Sequence, residues 1–173
     1  MSHDKREREI RRVEPGDAER VRDLHEVALR DAGAFVEGGP DADLRDPLTA
    51  YVEAGGEFLV AAYHGRIVGM GAIRPVADRT AGAFADLRTP AAELKRMRVA
   101  PDHQRSGVGS ALLDRLETAA REREFRELVL DTSLDQDGAR AFYEARGFAH
   151  ERDVTVSVDA GTFGLALYRK PLD

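Results

Sequence analysis

Cysteine is absent from this sequence of 173 residues, which excludes disulfide bonds and a cysteine-bound structural metal. Long apolar runs are missing too, since no stretch approaches the roughly 20 residues that a helix needs to cross a bilayer. Residues 1–12 are largely charged, whereas a secretory signal peptide would have an apolar segment there. We therefore expect a cytoplasmic protein that does not enter a membrane.

Lysine is also scarce. Lys5, Lys95 and Lys170 are the lysines, so that 23 of the 26 basic residues are arginines. Arginine suits bidentate recognition of phosphate or carboxylate, although the codon bias of a GC-rich genome explains the excess more simply. Acidic residues outnumber basic ones by 32 to 26, and the net charge of −6 argues against a nucleic-acid partner. The five histidines show no metal-binding spacing, so we expect no metal site.

Length and patterning predict one domain. We predict a flexible N-terminal tail at residues 1–8 and a single domain over residues 9–173, because no repeat or linker interrupts that part of the chain. Residues 76–90 are too weakly patterned to assign. Elsewhere, periodicity and Gly and Pro positions predict strands at 10–13, 57–63, 66–73, 93–99, 127–132, 154–158 and 163–168, and helices from 17, near 48–52, at 108–123 and at 138–146.

The order of these elements predicts an α/β (α+β) fold, in which helices flank a mixed, mostly antiparallel sheet. One parallel crossover runs from strand 93–99 through helix 108–123 to strand 127–132. We expect the chemistry at this crossover, where a loop leads from a strand into the N-terminus of a helix.

That loop contains two glycines, Gly107 and Gly109, directly before and within the start of the helix. Glycines let the backbone approach a ligand closely, and the free N–H groups of a helix N-terminus attract phosphate oxygens. A Walker loop is excluded because Val108-Gly109-Ser110 contains no lysine, and a dinucleotide fingerprint because position 112 is leucine. Gly69-Met70-Gly71 does not fit that fingerprint either, because this Gly-x-Gly lies inside strand 66–73. An ordinary glycine-containing turn remains the alternative to a phosphate site.

The loop resembles the pyrophosphate loop of the GNAT superfamily of N-acetyltransferases, whose pattern is Q/R-x-x-G-x-G/A. Gln104, Gly107 and Gly109 match that pattern, and residues 93–101 are similar to the strand that leads into it. Residues 139–148, ARAFYEARGF, are similar to a second family segment, A-x-x-F/L-Y-x-x-x-G-F. The two matches occur in the family's order, and the predicted elements agree with the GNAT fold.

The resemblance implies acetyl-CoA as co-substrate, bound in a cleft where strands 93–99 and 127–132 splay apart. Backbone groups of residues 97–99 would pair with the pantetheine, and N–H groups of residues 105–110 would hold the pyrophosphate. Side-chain identity at Arg105, Ser106 and Val108 is then expected to matter little, although Arg105 can add a charge contact. The cofactor-binding residues that the resemblance implies are Met97, Arg98, Val99, Gln104, Arg105, Ser106, Gly107, Val108, Gly109, Ser110, Gln136 and Tyr143. Gln136 departs from the family's pattern, which has Asn there.

Two catalytic roles follow from the resemblance. Glu93 stands where the family often has a carboxylate that removes the proton of the amine, and Asp131 on the next strand is the rival base. Tyr143 is the candidate that protonates the departing thiolate. The structural alternatives are a solvated strand end for Glu93 and an aromatic packed on the sheet beside Phe142 and Phe148 for Tyr143. Because the chain lacks cysteine, the acetyl group would pass directly from acetyl-CoA to the amine in a ternary complex.

The acceptor is expected to be a primary amine of a small molecule or a peptide. The family reads its acceptor through segments that correspond here to residues 32–47, 76–90 and 149–162. Their acidic residues would suit a cationic amine: Asp41, Asp43, Asp46, Asp78, Asp86 and Glu151. Arg96 and Arg98, on one face of their strand, would either attract an acidic substrate or be solvated. A catalytically idle acyl-CoA-binding domain is the alternative function, and the resemblance is compatible with a homodimer because dimers are common in the family.

Overall fold

The computed structural model describes residues 8–159 and 161–173, without the side chain of Val158. In these residues, strands β1 to β7 span Arg8–Arg12, Glu57–Tyr63, Arg66–Pro75, Ala91–Val99, Glu127–Ser133, Ala149–Val158 and Gly161–Pro171. Helices α1 to α4 span Ala18–Asp31, Asp78–Ala81, Val108–Glu122 and Asp137–Ala145. Shorter helical turns occupy Pro15–Asp17, Ala42–Arg45, Leu48–Val52 and Pro101–His103. The predicted tail lies outside the described residues except for Arg8, which begins β1.

The strands form one sheet in the order β1-β2-β3-β4-β5-β7-β6. The β1–β2, β2–β3, β5–β7 and β6–β7 pairs are antiparallel, whereas β4 and β5 are parallel. The β4–β5 register consists of three residue pairs, from Ala91–Glu127 to Glu93–Val129. The predicted mixed, mostly antiparallel sheet with flanking helices is confirmed.

The largest difference from the predicted elements concerns the last two strands. β6 begins at Ala149 rather than at residue 154, and β7 extends over Gly161–Pro171. The first half of β6 contains His150 and Arg152, which are exposed and do not alternate with apolar residues. Since β6 is an edge strand, pairing with β7 alone holds this polar segment in the sheet. A hydrophobic pattern cannot reveal such a strand.

The chain groups into two compact units, which divide β4 between them. Of the described residues, those up to Arg74 and Leu94–Arg123 form the first unit, and those in Pro75–Glu93 and Glu124–Asp173 form the second. In the first unit, α1 and the two turns after it cover one face of β2 and β3. The buried core on this face consists of Val13, Val21, Leu24, Leu44, Tyr51, Phe58, Val60, Met70 and Ala72.

Helix α3 covers the other face of β3 in the first unit. A Cβ atom at Gly69 would lie 2.6 Å from Val108 Cγ1, and one at Gly71 would lie 2.9 Å from Leu116 Cδ1. Both separations are too short for real atoms, so these two glycines allow α3 to lie directly on the strand. The Gly-x-Gly inside β3 therefore serves the packing of α3 on the sheet.

The second unit has a smaller core, in which Phe84, Val129 and Leu167 are buried together. Its buried Glu127 accepts hydrogen bonds from Arg169 Nε at 2.5 Å and Arg169 Nη2 at 3.1 Å. Within the described parts of the chain, no helix is long and apolar enough to cross a membrane. The same residues include no cluster of three or more His, Asp or Glu side chains arranged to hold a metal ion.

Candidate active site

The loop between β4 and α3 has a defined backbone shape. A single 3-10 turn at Pro101–His103 follows β4, and the chain then turns through Gln104–Gly107 into α3. Arg105 and Gly107 have φ angles of +61° and +86°. Gly107 is the N-cap residue, and its left-handed conformation is one that glycine adopts without a steric penalty.

Three side chains hold this loop by binding its carbonyl oxygens. Gln104 Nε2 donates to Val99 O at 3.2 Å, and Ser106 Oγ donates to His103 O. Arg8 Nη1, from β1, donates to Ser106 O at 3.3 Å. Gln104 and Ser106 thus shape the loop that the sequence predicts to bind pyrophosphate. The contact from Arg8 could not be predicted from a local sequence pattern, because Arg8 lies far from this loop in the chain.

The space in front of α3 is open and suits an anion. A Cβ atom placed on Gly107 would meet no atom within 4 Å, and residues 104–107 are exposed. The N–H groups in the first turn of a helix have no acceptor within the helix, and they form its positive end. Val108, by contrast, is buried, and its Cγ1 occupies the space that a Cβ atom on Gly69 would need, so its side chain matters for packing even if only its N–H faces a ligand.

Arg96 has a left-handed backbone within β4, just before the segment predicted to pair with pantetheine. We call this irregularity of the strand the interruption. Arg96 has a φ angle of +60°, which is not that of a regular extended strand residue. Its guanidinium donates to Asp43 at 2.6 and 2.9 Å and to Pro40 O at 2.7 Å. Asp43 also accepts a hydrogen bond from Tyr51 Oη. Burial raises the pKa of Asp43, but hydrogen bonds from Arg96 and Tyr51 outweigh it and leave that pKa below its usual value.

The acidic character of residues 32–47 is reduced by these internal contacts. Asp43 pairs with Arg96, and Asp46 accepts hydrogen bonds from Thr49 N at 3.2 Å and Thr49 Oγ1 at 2.8 Å. Glu151, in the third predicted acceptor segment, lies 3.4 Å from Arg169 Nη1. Three of the six acidic residues singled out from the sequence therefore serve the fold itself.

His25 on α1 packs beside Arg96 and is 6% exposed. Its Nε2 atom lies 3.5 Å from Arg96 Nη1. A guanidinium can only donate, so Nε2 accepts and the proton of the neutral ring belongs on Nδ1. Nδ1 is buried and has no hydrogen-bond partner among the described residues.

Mild acid is expected to destabilise the protein through His25. Burial, followed by the charges of Arg98 and Arg96, lowers the pKa of His25 from 6.5 to about 4, while Asp41 and Asp43 act in the opposite direction. Below pH 6.5 the unfolded chain binds a proton that the folded chain refuses until about pH 4, so stability falls as the pH falls through this window. We expect a loss of about 1 kcal/mol between about pH 6.5 and 5.5. Urea unfolding of the wild type and His25→Asn at both pH values measures it, and equal losses in the two proteins would contradict it.

The second unit contains the predicted acid–base residues. Glu93 lies inside β4, opposite Val129 of β5, and is 5% exposed. It is therefore not a solvated strand end. Asp131, the rival base, is exposed on β5. Gln136 is the N-cap residue of α4, and its carbonyl accepts the Arg140 N–H at 3.0 Å.

Tyr143 on α4 is packed among aromatic side chains. Tyr143 is 8% exposed, with its ring 5.3 Å from Phe142 and 5.6 Å from Phe148. Phe142 is half-buried beneath the Arg146 guanidinium, which lies 4.0 Å from its ring centroid. Tyr143 thus has the packed position that the structural alternative describes, and its role as an acid stays a prediction. The predicted site residues divide between the units, with 97–99 and 104–110 in the first and Glu93, Asp131, Gln136 and Tyr143 in the second.

Comparison with known proteins adds independent findings. The sequence model of the acetyltransferase (GNAT) family matches residues 20–148. The rat protein N-acetyltransferase family 8 member 2 is 30% identical over 127 residues, which are 73% of this chain and 54% of that protein. The chain thus spans about half the length of the curated relatives it matches.

Solved structures share the fold over nearly the whole chain. A GNAT-family acetyltransferase from Staphylococcus aureus Mu50 superposes with a TM-score of 0.76 at 19% identity, covering 96% of this chain and 99% of that one. The yncA protein from Salmonella typhimurium, solved with its cofactor acetyl-CoA, has a TM-score of 0.76 at 20% identity and covers 96% and 95% of the two chains. Since the family match extends over most of the sequence and both loop and α4 motifs lie within it, this chain belongs to the GNAT acetyltransferase family.

Proposed function

We propose that this chain is an N-acetyltransferase that transfers an acetyl group directly from acetyl-CoA to a primary amine of a small molecule or peptide. The observation that carries the proposal is the β4–α3 loop, where open space beside Gly107, at the N-terminus of α3, gives room for an anion. Family membership and the acetyl-CoA bound to the Salmonella relative support the same cofactor.

The loop would hold the pyrophosphate through its backbone. N–H groups of residues 105–110 provide the donors, with Gln104 and Ser106 holding the loop in shape through Val99 O and His103 O. Backbone groups of residues 97–99 would pair with the pantetheine arm. Gln136 and Tyr143 are the remaining residues proposed to bind the cofactor. When bound, acetyl-CoA supplies the acetyl group as a thioester, whose C–S bond breaks as the amine forms a C–N bond.

Two side chains would move the protons. Glu93 accepts a proton from the attacking amine, directly or through water, since an ammonium group has no lone pair with which to attack. Its buried position keeps the carboxylate apart from bulk solvent. Tyr143 donates its hydroxyl proton to the departing sulfur. With no cysteine in the chain, no thiol can hold the acetyl group between donor and acceptor.

The test is release of free thiol from acetyl-CoA in the presence of a panel of amines, from polyamines and amino acids to peptides with a free N-terminus. We expect thiol release with at least one class, and mass spectrometry should show one added acetyl group on that amine. Tight CoA binding without turnover on any amine would contradict an enzymatic role and indicate an acyl-CoA-binding domain.

A further inference from the structure

Arg96 has a backbone conformation that is unusual for its position. Inside β4, between extended residues, its φ angle is +60°. Residues with a Cβ atom adopt this left-handed region rarely, because the side chain crowds the backbone. Such a conformation persists where surrounding contacts hold it in place, and it is commonly found near functional sites.

The contacts that hold Arg96 come from the segment after α1. Its guanidinium binds both carboxylate oxygens of Asp43 and the carbonyl of Pro40. The two charged side chains are only 14% and 15% exposed, and Tyr51 Oη donates a further hydrogen bond to Asp43. We call the Arg96–Asp43 ion pair, with its Pro40 and Tyr51 contacts, the Arg96 clamp. Separating a bidentate pair that is shielded from water would leave an uncompensated charge, which is costly, so the clamp is able to hold an unfavourable backbone conformation.

The interruption at Arg96 lies directly before the residues that are proposed to bind the cofactor. Met97, Arg98 and Val99 follow Arg96 directly, and their backbone groups are the ones proposed to pair with the pantetheine. A left-handed residue rotates the chain that follows it, as in a β-bulge, and so changes the direction of the next N–H and C=O groups. If the clamp were released, β4 would relax toward a regular extended strand, and cofactor binding would then have to restore the interruption.

We propose that the Arg96 clamp holds β4 in the interrupted conformation that CoA binding requires, so that Arg96 and Asp43 are positioning residues for the cofactor. The inference rests on the proposed function for the identity of the ligand. It assigns a role to two residues that lie outside the predicted cofactor-binding set, and one of them, Asp43, belongs to a segment expected to face the acceptor.

Replacements of Arg96 by glycine and by alanine separate the backbone effect from the ion pair. Both remove the clamp, but glycine adopts a positive φ freely and alanine does not. We expect Arg96→Ala to weaken CoA binding about tenfold and Arg96→Gly less than about threefold, because only alanine makes the ligand restore a disfavoured conformation. Asp43→Asn keeps the arginine but removes its charged partner, and we expect an intermediate loss. The measurement is the Kd for CoA from calorimetry, on variants whose fold is verified by circular dichroism.

Asp17→Asn is the matched control. Asp17 forms another shielded bidentate pair in the same unit, with Arg11 at 2.7 and 3.1 Å, and does not touch β4 in any contact described for it. We expect it to lower the melting temperature while changing the Kd for CoA less than twofold. Equal affinities for the glycine and alanine variants, or wild-type affinity in Arg96→Ala and Asp43→Asn, would overturn the inference.

These experiments distinguish a failure of the clamp inference from a failure of the proposed function. If the wild type binds CoA, shows the expected order of affinities and yet acetylates no amine, the proposed function is wrong and the clamp inference stands. If the wild type acetylates an amine but the variants bind CoA equally well, the clamp inference is wrong and the function stands. A wild type that does not bind CoA overturns both.

Discussion

Replacement of Glu93 by glutamine is expected to reduce amine acetylation about a hundredfold, the lower part of the range for loss of a general base. Glutamine has nearly the same shape and fits the buried position on β4, but it cannot accept the proton of the amine. The Kd for CoA should stay within about twofold, because the residue acts on the acceptor. Steady-state rates of thiol release, measured with calorimetry on the same preparation, test both statements.

Asp131→Asn is the matched comparison, because Asp131 is the rival base and is exposed on the neighbouring strand. We expect this variant to keep most of its activity. A large loss in Asp131→Asn together with an active Glu93→Gln would transfer the role of base to Asp131. Tyr143→Phe should also slow turnover with little change in CoA binding, since it removes only the hydroxyl from a ring packed against Phe142 and Phe148.

Replacement of Gly107 by valine is expected to weaken CoA binding about a hundredfold. The φ angle of +86° is unfavourable for any residue with a Cβ atom and worst for a branched one. In addition, the new side chain would project into the open space where the pyrophosphate is proposed to lie, and lost charge-assisted hydrogen bonds are worth about 1.5 to 3 kcal/mol each. Calorimetry with CoA measures the effect.

Gly33→Val is a control with a similar backbone. Gly33 follows α1, has a φ angle of +70°, and a Cβ atom there would also meet nothing within 4 Å. Both variants should be destabilised by a comparable amount in thermal unfolding. If the two variants bind CoA equally well, residue 107 does not border the cofactor and the proposed loop contact is wrong.

Local patterns in the sequence were sufficient for most of the fold. The hairpin over residues 57–73 and helix 108–123 follow from alternation and helical periodicity, which depend only on which face of an element is buried. Gly107 was singled out because glycine lets the backbone approach a ligand, and the structure adds that this residue is a left-handed N-cap. The polar first half of β6 was not readable, because partner strand β7 holds it in the sheet and no apolar face marks it.

The candidate site divides in the same way. The loop at 104–110, Glu93 and Tyr143 were singled out from motifs, which are short and contiguous in the chain. The roles of three other residues could not be predicted, because each depends on a partner far away in the sequence. These pairs are Gly69 with Val108, Arg8 with Ser106, and Asp43 with Arg96. The left-handed backbone of Arg96 could not be predicted either, because the alternation of side chains in a strand assumes an extended backbone.

By itself, then, the sequence determined that this chain has no cysteine, and it predicted a mixed sheet with one parallel crossover and a glycine-containing loop at the start of a helix. Only the tertiary structure decided which charges are available to a ligand. Arg96 and Asp43 look like a basic residue on a strand and an acidic residue in a loop, yet they neutralise each other in a shielded pair. Composition counts charges one residue at a time, whereas their effect depends on distance and on exclusion of water, which are set when the chain folds.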